Sequence, residues 1–334
     1  MSLRSATQRR RNSESALSNS PPERGSLKLS RSKNSVECLG LGIVPLDILF
    51  TVPYFPKAGH KIDAVNLIIQ GGGPVPNCLV GLSRFGVRTA FIGAFGDDLW
   101  GRMGIDELKR EQVDVGNVFI KRQPSALASG MIETGSGRRT IALYRKIAVK
   151  PSDLNLHALP VPKVIHLDGR DLPACLKLAR WGRKIGARVS LDIGSMRNDV
   201  SPLLPLVDLL IVADAFALPF TRTRAARAAI TELRRRCPGM IVVTEGMKGS
   251  LGFDGGKWRR QRAYRVKNVD TTGAGDSFHA GYLYGVLKGW SMPECLEFGA
   301  AAAALKCTQP GARTGAPRLS QVRQFLRKRR TANA

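Results

Sequence analysis

The chain is poor in aromatic residues and histidines, pairs none of its cysteines in sequence, and contains no long apolar run. Aromatic side chains make up 6% of its 334 residues, too few to suggest the stacking platforms on which single-stranded nucleic acids lie. Six cysteines, Cys38, Cys78, Cys175, Cys237, Cys295 and Cys307, are scattered through apolar segments. With no Cys-x-x-Cys spacing and no clustered histidine, they argue against a zinc module and for the reduced thiols of a cytosolic protein. No stretch approaches the roughly 20 consecutive apolar residues of a membrane span, and the N-terminus lacks the apolar core of a secretory signal. The expectation is a soluble, cytoplasmic chain with no membrane contact.

Positive charge is what it has in excess. Lys and Arg number 52 against 26 Asp and Glu, a formal charge of +26. Such a balance attracts polyanions and steers anionic ligands. Because the charge is spread along the chain rather than gathered in one stripe, nucleic-acid binding is set aside as the main function, and a generally basic surface is the simpler reading. Hydrophobic residues at 43% and charged residues at 23% describe a chain that can bury a core. Residues 1–35 differ. They are rich in Ser and Arg, include Arg9, Arg10, Arg11, Pro21 and Pro22, and show no apolar periodicity, which predicts a disordered basic tail. Glu14 and Glu23 count against an organellar transit segment.

From Val36 to about residue 330, short apolar runs alternate with helical patterns. Strands are expected at Val36 to Val44, Thr89 to Phe95, Lys163 to Leu167, Ala187 to Leu191, Asp208 to Val212 and Met240 to Thr244. Helices are expected at Val75 to Phe85, Leu99 to Glu111, Pro173 to Ile185, Arg222 to Arg236, Ala274 to Leu287, Pro293 to Cys307 and Leu319 to Lys328. That alternation predicts an α/β fold with a mostly parallel sheet covered on both faces. Two stretches break the rhythm, Lys61 to Gln70 and Ala126 to Tyr144, the second turning at Gly135, Ser136 and Gly137. They predict a small separate β-sheet built from about residues 48–70 and 126–147.

The segment that speaks of chemistry is Asp270-Thr-Thr-Gly273-Ala274-Gly275-Asp276-Ser-Phe, a small-residue turn running into an apolar helix. Small residues let a backbone approach a ligand, and the unpaired N–H groups of a first helical turn stabilise an anion there. A carboxylate at that place can accept the proton of an attacking hydroxyl while the amides hold the charge of a transferring phosphoryl group. On spacing alone, Asp276 serves equally well as a helix cap and the glycines as a turn.

This segment resembles, almost letter for letter, the C-terminal signature of the PfkB, or ribokinase-like, carbohydrate kinases. The likeness continues over about residues 36–328: Gly42-Ile-Val-Pro-Leu-Asp47 is similar to the family's opening strand, Gly71-Gly-Gly-Pro-Val-Pro-Asn77 to its Gly-Gly-x-x-x-Asn signature, and Gly93-Ala-Phe-Gly96 and Val243-Thr244-Glu-Gly246-Met-Lys-Gly249 to further landmarks. The resemblance implies a ribokinase-like three-layer α/β/α fold with a β-sheet lid, and phosphoryl transfer from ATP with Mg2+ to a hydroxyl of a sugar-like molecule. It implies Asp276 as general base and Gly273, Ala274 and Gly275 as the anion hole. Asp47, Gly72, Gly73 and Asn77 would hold the sugar, while Thr244, Gly246, Gly249 and Thr272 would lie along the nucleotide. Asp270 would sit where relatives bind a monovalent cation, and the lid edges would pair two subunits into a homodimer. The same fold also admits a nucleoside as acceptor, or a degenerate member that only binds ligands or polyanions.

The chain departs from the family pattern in places. Where many relatives carry Asn-x-x-Glu, helping to arrange magnesium and phosphate, it reads Ala213-Asp214-Ala215-Phe216. Ala300 stands near the adenine region where ribokinases place an Asn. Gly169-Arg170-Asp171 looks like a feature of the ketohexokinase-like branch and hints at a keto-sugar. Among the histidines, His279 alone is placed near Asp276, and no role is assigned to it. Tyr144, Arg145 and Lys146 follow the lid hairpin and read either as facing an anionic substituent of the substrate or, more simply, as an exposed basic turn.

Overall fold

The computed structural model describes residues 36–331; the predicted disordered tail, residues 1–35, lies outside them. The chain opens with β1 (Cys38–Leu41), β2 (Leu46–Val52) and β3 (Asn66–Gly71), enters α1 (Pro74–Arg84), and continues through β4 (Thr89–Ile92), β5 (Ala94–Gly96) and α2 (Leu99–Arg110). Four strands follow: β6 (Val113–Asp114), β7 (Phe119–Lys121), β8 (Leu127–Glu133) and β9 (Arg139–Tyr144). Strands and helices then alternate as β10 (Val164–Leu167), α3 (Leu172–Lys184), β11 (Arg188–Ile193), β12 (Leu209–Ala213), α4 (Asp214–Thr221), α5 (Ala226–Leu233) and β13 (Met240–Thr244). A hairpin, β14 (Ser250–Phe253) and β15 (Trp258–Gln261), leads to α6 (Ala274–Leu287), α7 (Met292–Cys307) and α8 (Leu319–Thr331).

Nine strands form the main sheet in the order β15-β14-β13-β12-β11-β10-β1-β4-β6. Its members from β13 to β6 run parallel, and only the β14–β15 hairpin is antiparallel. Parallel strands are buried on both faces, which is why β10 and β12 read as almost unbroken apolar runs. On one face, Cys175 and Leu178 of α3, Phe216 of α4 and Ile230 of α5 pack on Leu39, Leu41 and Leu210. On the other, Leu79 of α1, Leu283 of α6, Ala301 of α7 and Val322 of α8 pack on Cys38 and Val164. The result is the three-layer α/β/α arrangement. Gly40 permits it locally: any Cβ there would run into Val75 and Leu79, so its absence lets α1 lie close on β1. A Cβ on Gly281 would lie 2.8 Å from Gly299 Cα, the mark of a close α6–α7 contact.

Some element boundaries differ from expectation. The run Arg222 to Arg236 is not one helix. α4 begins earlier and stops where Arg222 takes a left-handed φ of 55° behind Pro219, and α5 restarts after Ala225. The first strand is shorter than Val36 to Val44, because the Gly42–Pro45 turn carries the chain out of the main sheet and into β2.

A second sheet, in the order β3-β2-β8-β9, forms the lid. Its register places Asp47 beside Gln70 and Ala128, and Thr51 beside Asn66 and Ile132, with Arg139 opposite Ile132. Asp47 and Arg139 therefore share one face of the lid.

Candidate active site

In a parallel α/β sheet the ligand crevice lies outside the carboxyl ends of the strands. There the ends of β1, β10 and β11 bring Gly42, Asp168 and Asp192 to one edge. Asp168 Oδ2 accepts the Ile43 N–H at 2.8 Å and its Oδ1 accepts the Arg170 N–H at 3.0 Å, fixing the turn that aims β2 into the lid. Asp47, one residue into β2, is 7% exposed. Gly72 lies against it so closely that any Cβ would overlap its carboxylate. Gly73, at φ +93°, turns the chain into α1 and delivers Asn77 in the first turns of that helix.

At the other end of the fold's sequence, Gly273 (φ 76°) caps α6 in a left-handed conformation. The Ala274 N–H is used in the turn, donating to Thr271 O at 3.2 Å, and Ser277 N–H closes the first helical bond onto Gly273 O at 2.9 Å. Between them, the amides of Gly275 and Asp276 have no backbone acceptor among the described residues, leaving two donors at a helix N-terminus. Asp276 is half-buried, and its Oδ2 accepts from Asn77 Nδ2 at 2.7 Å. Burial, reinforced by Asp192, pushes the Asp276 carboxyl up to about 7, against the opposing pull of the Asn77 bond. Burial likewise raises Asp47 to about 7, Asp168 to about 6 and Asp192 to about 8.

Sequence reasoning missed Arg313. Its side chain is 1% exposed and passes through the room left by Gly71, where any Cβ would strike the guanidinium. Nε donates to Asn77 Oδ1 at 2.9 Å and Nη2 to Gly72 O at 2.9 Å. Nη1 stands 3.5 Å from Glu107 Oε2, and that carboxylate also accepts the Gly71 N–H. Arg313 thus holds both members of the Gly72 and Asn77 pair. It was one of 52 basic residues, and its only signal was a position between Gly311 and Gly315. Arg139 was missed as well; only the lid register brings it toward Asp47 and Asp276, where its charge slightly offsets the upward push of burial.

Beside Gly275 a groove of about 260 Å³ opens, lined by Thr244, Gly246, Gly249, Thr271, Ala300 and Cys307 among others. Thr272, expected here, faces elsewhere: it is buried, and its N–H donates to Asp270 Oδ1 at 2.8 Å. Thr271 lines the groove in its stead. The lid turn reaches this region, since a Cβ on Gly137 would lie 2.7 Å from Asn268 Nδ2. The degenerate Asn-x-x-Glu positions offer little: Phe216 is fully buried and stacks on Phe220 at 4.9 Å, and Asp214 Oδ1 accepts the Ala215 N–H next to it.

Asp270, where a monovalent cation was expected, meets an ammonium. Lys306 Nζ donates to Asp270 O at 2.7 Å and Gln309 O at 3.1 Å and lies 3.8 Å from Asp270 Oδ2. His279 is buried, with Nδ1 2.9 Å from Gly275 O and Nε2 3.1 Å from Ile211 O, a structural setting behind Asp276. Arg145 of the basic turn pairs with Asp171.

Comparison with known proteins bears on the family and the fold. Residues 35–319 match the pfkB family carbohydrate kinase. The chain belongs to that family. Haemophilus influenzae ribokinase is 27% identical over 305 residues, covering 86% of this chain and 97% of the relative. Mouse ketohexokinase is 28% identical over 289 residues, with 82% and 97% covered. The structure of Arabidopsis thaliana ribokinase complexed with ribose and ATP superimposes with a TM-score of 0.72 at 25% identity, covering 87% of this chain and 99% of the other. The protein is therefore a carbohydrate kinase, and ATP with its Mg2+ is the phosphoryl donor expected of its family. Among the described residues no helix is long and apolar enough to cross a membrane.

Proposed function

We propose that this carbohydrate kinase deprotonates a sugar hydroxyl with Asp276 while the Gly273–Gly275 turn, through the free amides of Gly275 and Asp276, steadies the γ-phosphoryl group as it passes from ATP to the sugar oxygen. The observation that carries the reading is the 2.7 Å bond from Asn77 to Asp276, which joins residues 199 positions apart from the two ends of the domain. Asp47, Gly72, Gly73 and Asn77 surround the place where the sugar would sit. Asp47 is on the lid and Asn77 on the helical layer, so the sugar bridges the two. Mg·ATP would lie along the groove walled by Thr244, Gly246 and Gly249, with its γ-phosphoryl toward the Gly275 and Asp276 amides. In-line transfer then needs only position and charge stabilisation, since the chemistry of a loose phosphoryl transition state asks little else of the protein. The proton leaves the hydroxyl for Asp276 as the oxygen attacks, and the lid keeps water from the γ-phosphoryl.

Two finer points follow from charge and surface. Arg170 is half-buried beside Asp168, with Arg145 and Arg197 as like-charged neighbours, and Arg139 faces Asp47 across the lid. These cations favour sugar acids among the candidates. On the lid's other face Leu67, Ile69 and Tyr144 are exposed, which supports the pairing of two lids in a homodimer. Light scattering should give twice the mass of one chain.

The test is ADP release from Mg·ATP against ketoses, aldoses, sugar acids, sugar phosphates and nucleosides. A hit among nucleosides alone would move the acceptor to that class. The pH profile is a second check. Asp276 must be ionised to act, and burial beside Asp192 raises it to about 7. Hence kcat/KM for the acceptor should fall roughly tenfold per unit as pH drops below about 7. A base at the ordinary carboxyl value of about 4 would leave the rate level through that window.

A further inference from the structure

An anion hole works only if its donors are held still while charge builds on the ligand. The turn Asp270–Gly275 that leads into these donors, the amides of Gly275 and Asp276, is fastened at Asp270. The Asp270 carboxylate is 2% exposed and accepts the Thr272 N–H at 2.8 Å on Oδ1 and the Gly311 N–H at 2.8 Å on Oδ2. Its negative charge is balanced by Lys306, fully buried in the last turn of α7. That ammonium is held by oxygens as a free cation would be: Asp270 O at 2.7 Å, Gln309 O at 3.1 Å and Asp270 Oδ2 at 3.8 Å. A lysine there is reasonable on its own terms, because the carbonyls of a helix C-terminus attract a cation.

The place does not fit a further monovalent ion. Each Asp270 carboxylate oxygen already accepts one N–H, and a second cation against this carboxylate would stand beside an ammonium that repels it in a dry setting. One buried oxygen of the loop, Thr272 Oγ1, has no hydrogen-bond partner among the described residues, but a neutral hydroxyl does not offset that repulsion.

We propose that the Lys306 ammonium takes the place of the monovalent cation expected at Asp270, so that the anion hole is set without K+ and turnover does not depend on it. This rests on the assignment of the anion hole to Gly273–Gly275.

The experiment begins with wild-type protein in a tetramethylammonium chloride buffer, titrated with KCl or NH4Cl at constant ionic strength. Thermal unfolding is read first, since it needs no acceptor. The wild-type Tm stays where tetramethylammonium leaves it, whereas Lys306→Ala unfolds at a lower temperature and its Tm climbs saturably with K+ or NH4+. Lys306→Met, which refills the space without charge, is destabilised and unresponsive. Turnover is then measured with an acceptor found by the panel. Wild type gives a level rate with and without K+, and Lys306→Ala falls by roughly tenfold and recovers in part with K+ or NH4+. A saturable rise of wild-type Tm or turnover with K+ overturns the proposal. So does a Lys306→Ala enzyme as stable and active as wild type in tetramethylammonium. If Lys306→Ala does not fold under any condition, the wild-type titration decides alone. Failure of the kinase mechanism would appear separately, as absence of turnover in every salt while the Tm titration still reports on the cation.

Discussion

Asp276→Asn should reduce kcat by about 10³, within the range a positioned general base supplies, while Mg·ATP and the acceptor still bind. The substitution keeps the size of the side chain and its place at the start of α6, and an amide oxygen can still accept the Asn77 N–H. What it removes is, among the described residues, the only carboxylate seen both to bond Asn77 and to stand beside the two free amides of the first helical turn. Asp192 does not replace it: it lies farther back, near His279 at 3.4 Å, and burial holds it protonated to about pH 8. Titration calorimetry would follow binding and coupled ADP assay would follow turnover. A variant with near-normal turnover would remove Asp276 from the mechanism and leave it as a helix-end carboxylate.

Arg313→Met should be felt in both stability and rate. Removing one partner from a buried ion pair typically costs about 3–5 kcal/mol, and here Asn77 Oδ1 and Gly72 O also lose their donor. Urea unfolding should show the loss. Pairing the change with Glu107→Gln removes both charges together and should restore part of the stability, allowing kinetics on a folded protein. In that double variant the Asn77 amide is no longer pinned by Nε. It is free to turn its oxygen toward Asp276, which disfavours the ionised base, and the loss of the Arg313 charge acts in the same direction; Asp192, His279, Arg139, Asp47 and Lys306, which also interact with Asp276, are unchanged. The acidic limb of kcat/KM should therefore move to higher pH. If the folded double variant keeps the wild-type limb, Arg313 is a packing residue only.

How much of this was legible in the chain varied with distance along it. The anion-hole turn, Asn77 and Asp47 were singled out because the glycine-marked segments that hold them resemble the family's signatures; on spacing alone they read equally as a helix cap, turns and a loop carboxylate. Strands such as β10, β12 and β13 were legible because a parallel sheet buries both faces. The β14–β15 hairpin was not, since Trp258–Gln261 carries two arginines and Ser250–Phe253 is four residues long with two polar or small members. Arg313 and Lys306 were invisible for a different reason. Their partners lie at residues 72, 77 and 107 and at residue 270, so they read as two more charges in a basic chain until the fold brought the carboxylates to them. Thr272 was misplaced because adjacent threonines in a tight turn point in opposite senses, and no pattern says which one faces the groove.

The cysteines, first noted for lacking partners, give the molecule an optical handle. Five are buried and only Cys307 is partly exposed, on the wall of the groove assigned to ATP. Its thiol is raised by burial and so reacts slowly with maleimides. A dye attached there under forcing conditions would sit at the nucleotide's own doorway, making the natural sequence a single-site fluorescent sensor that needs no engineered cysteine.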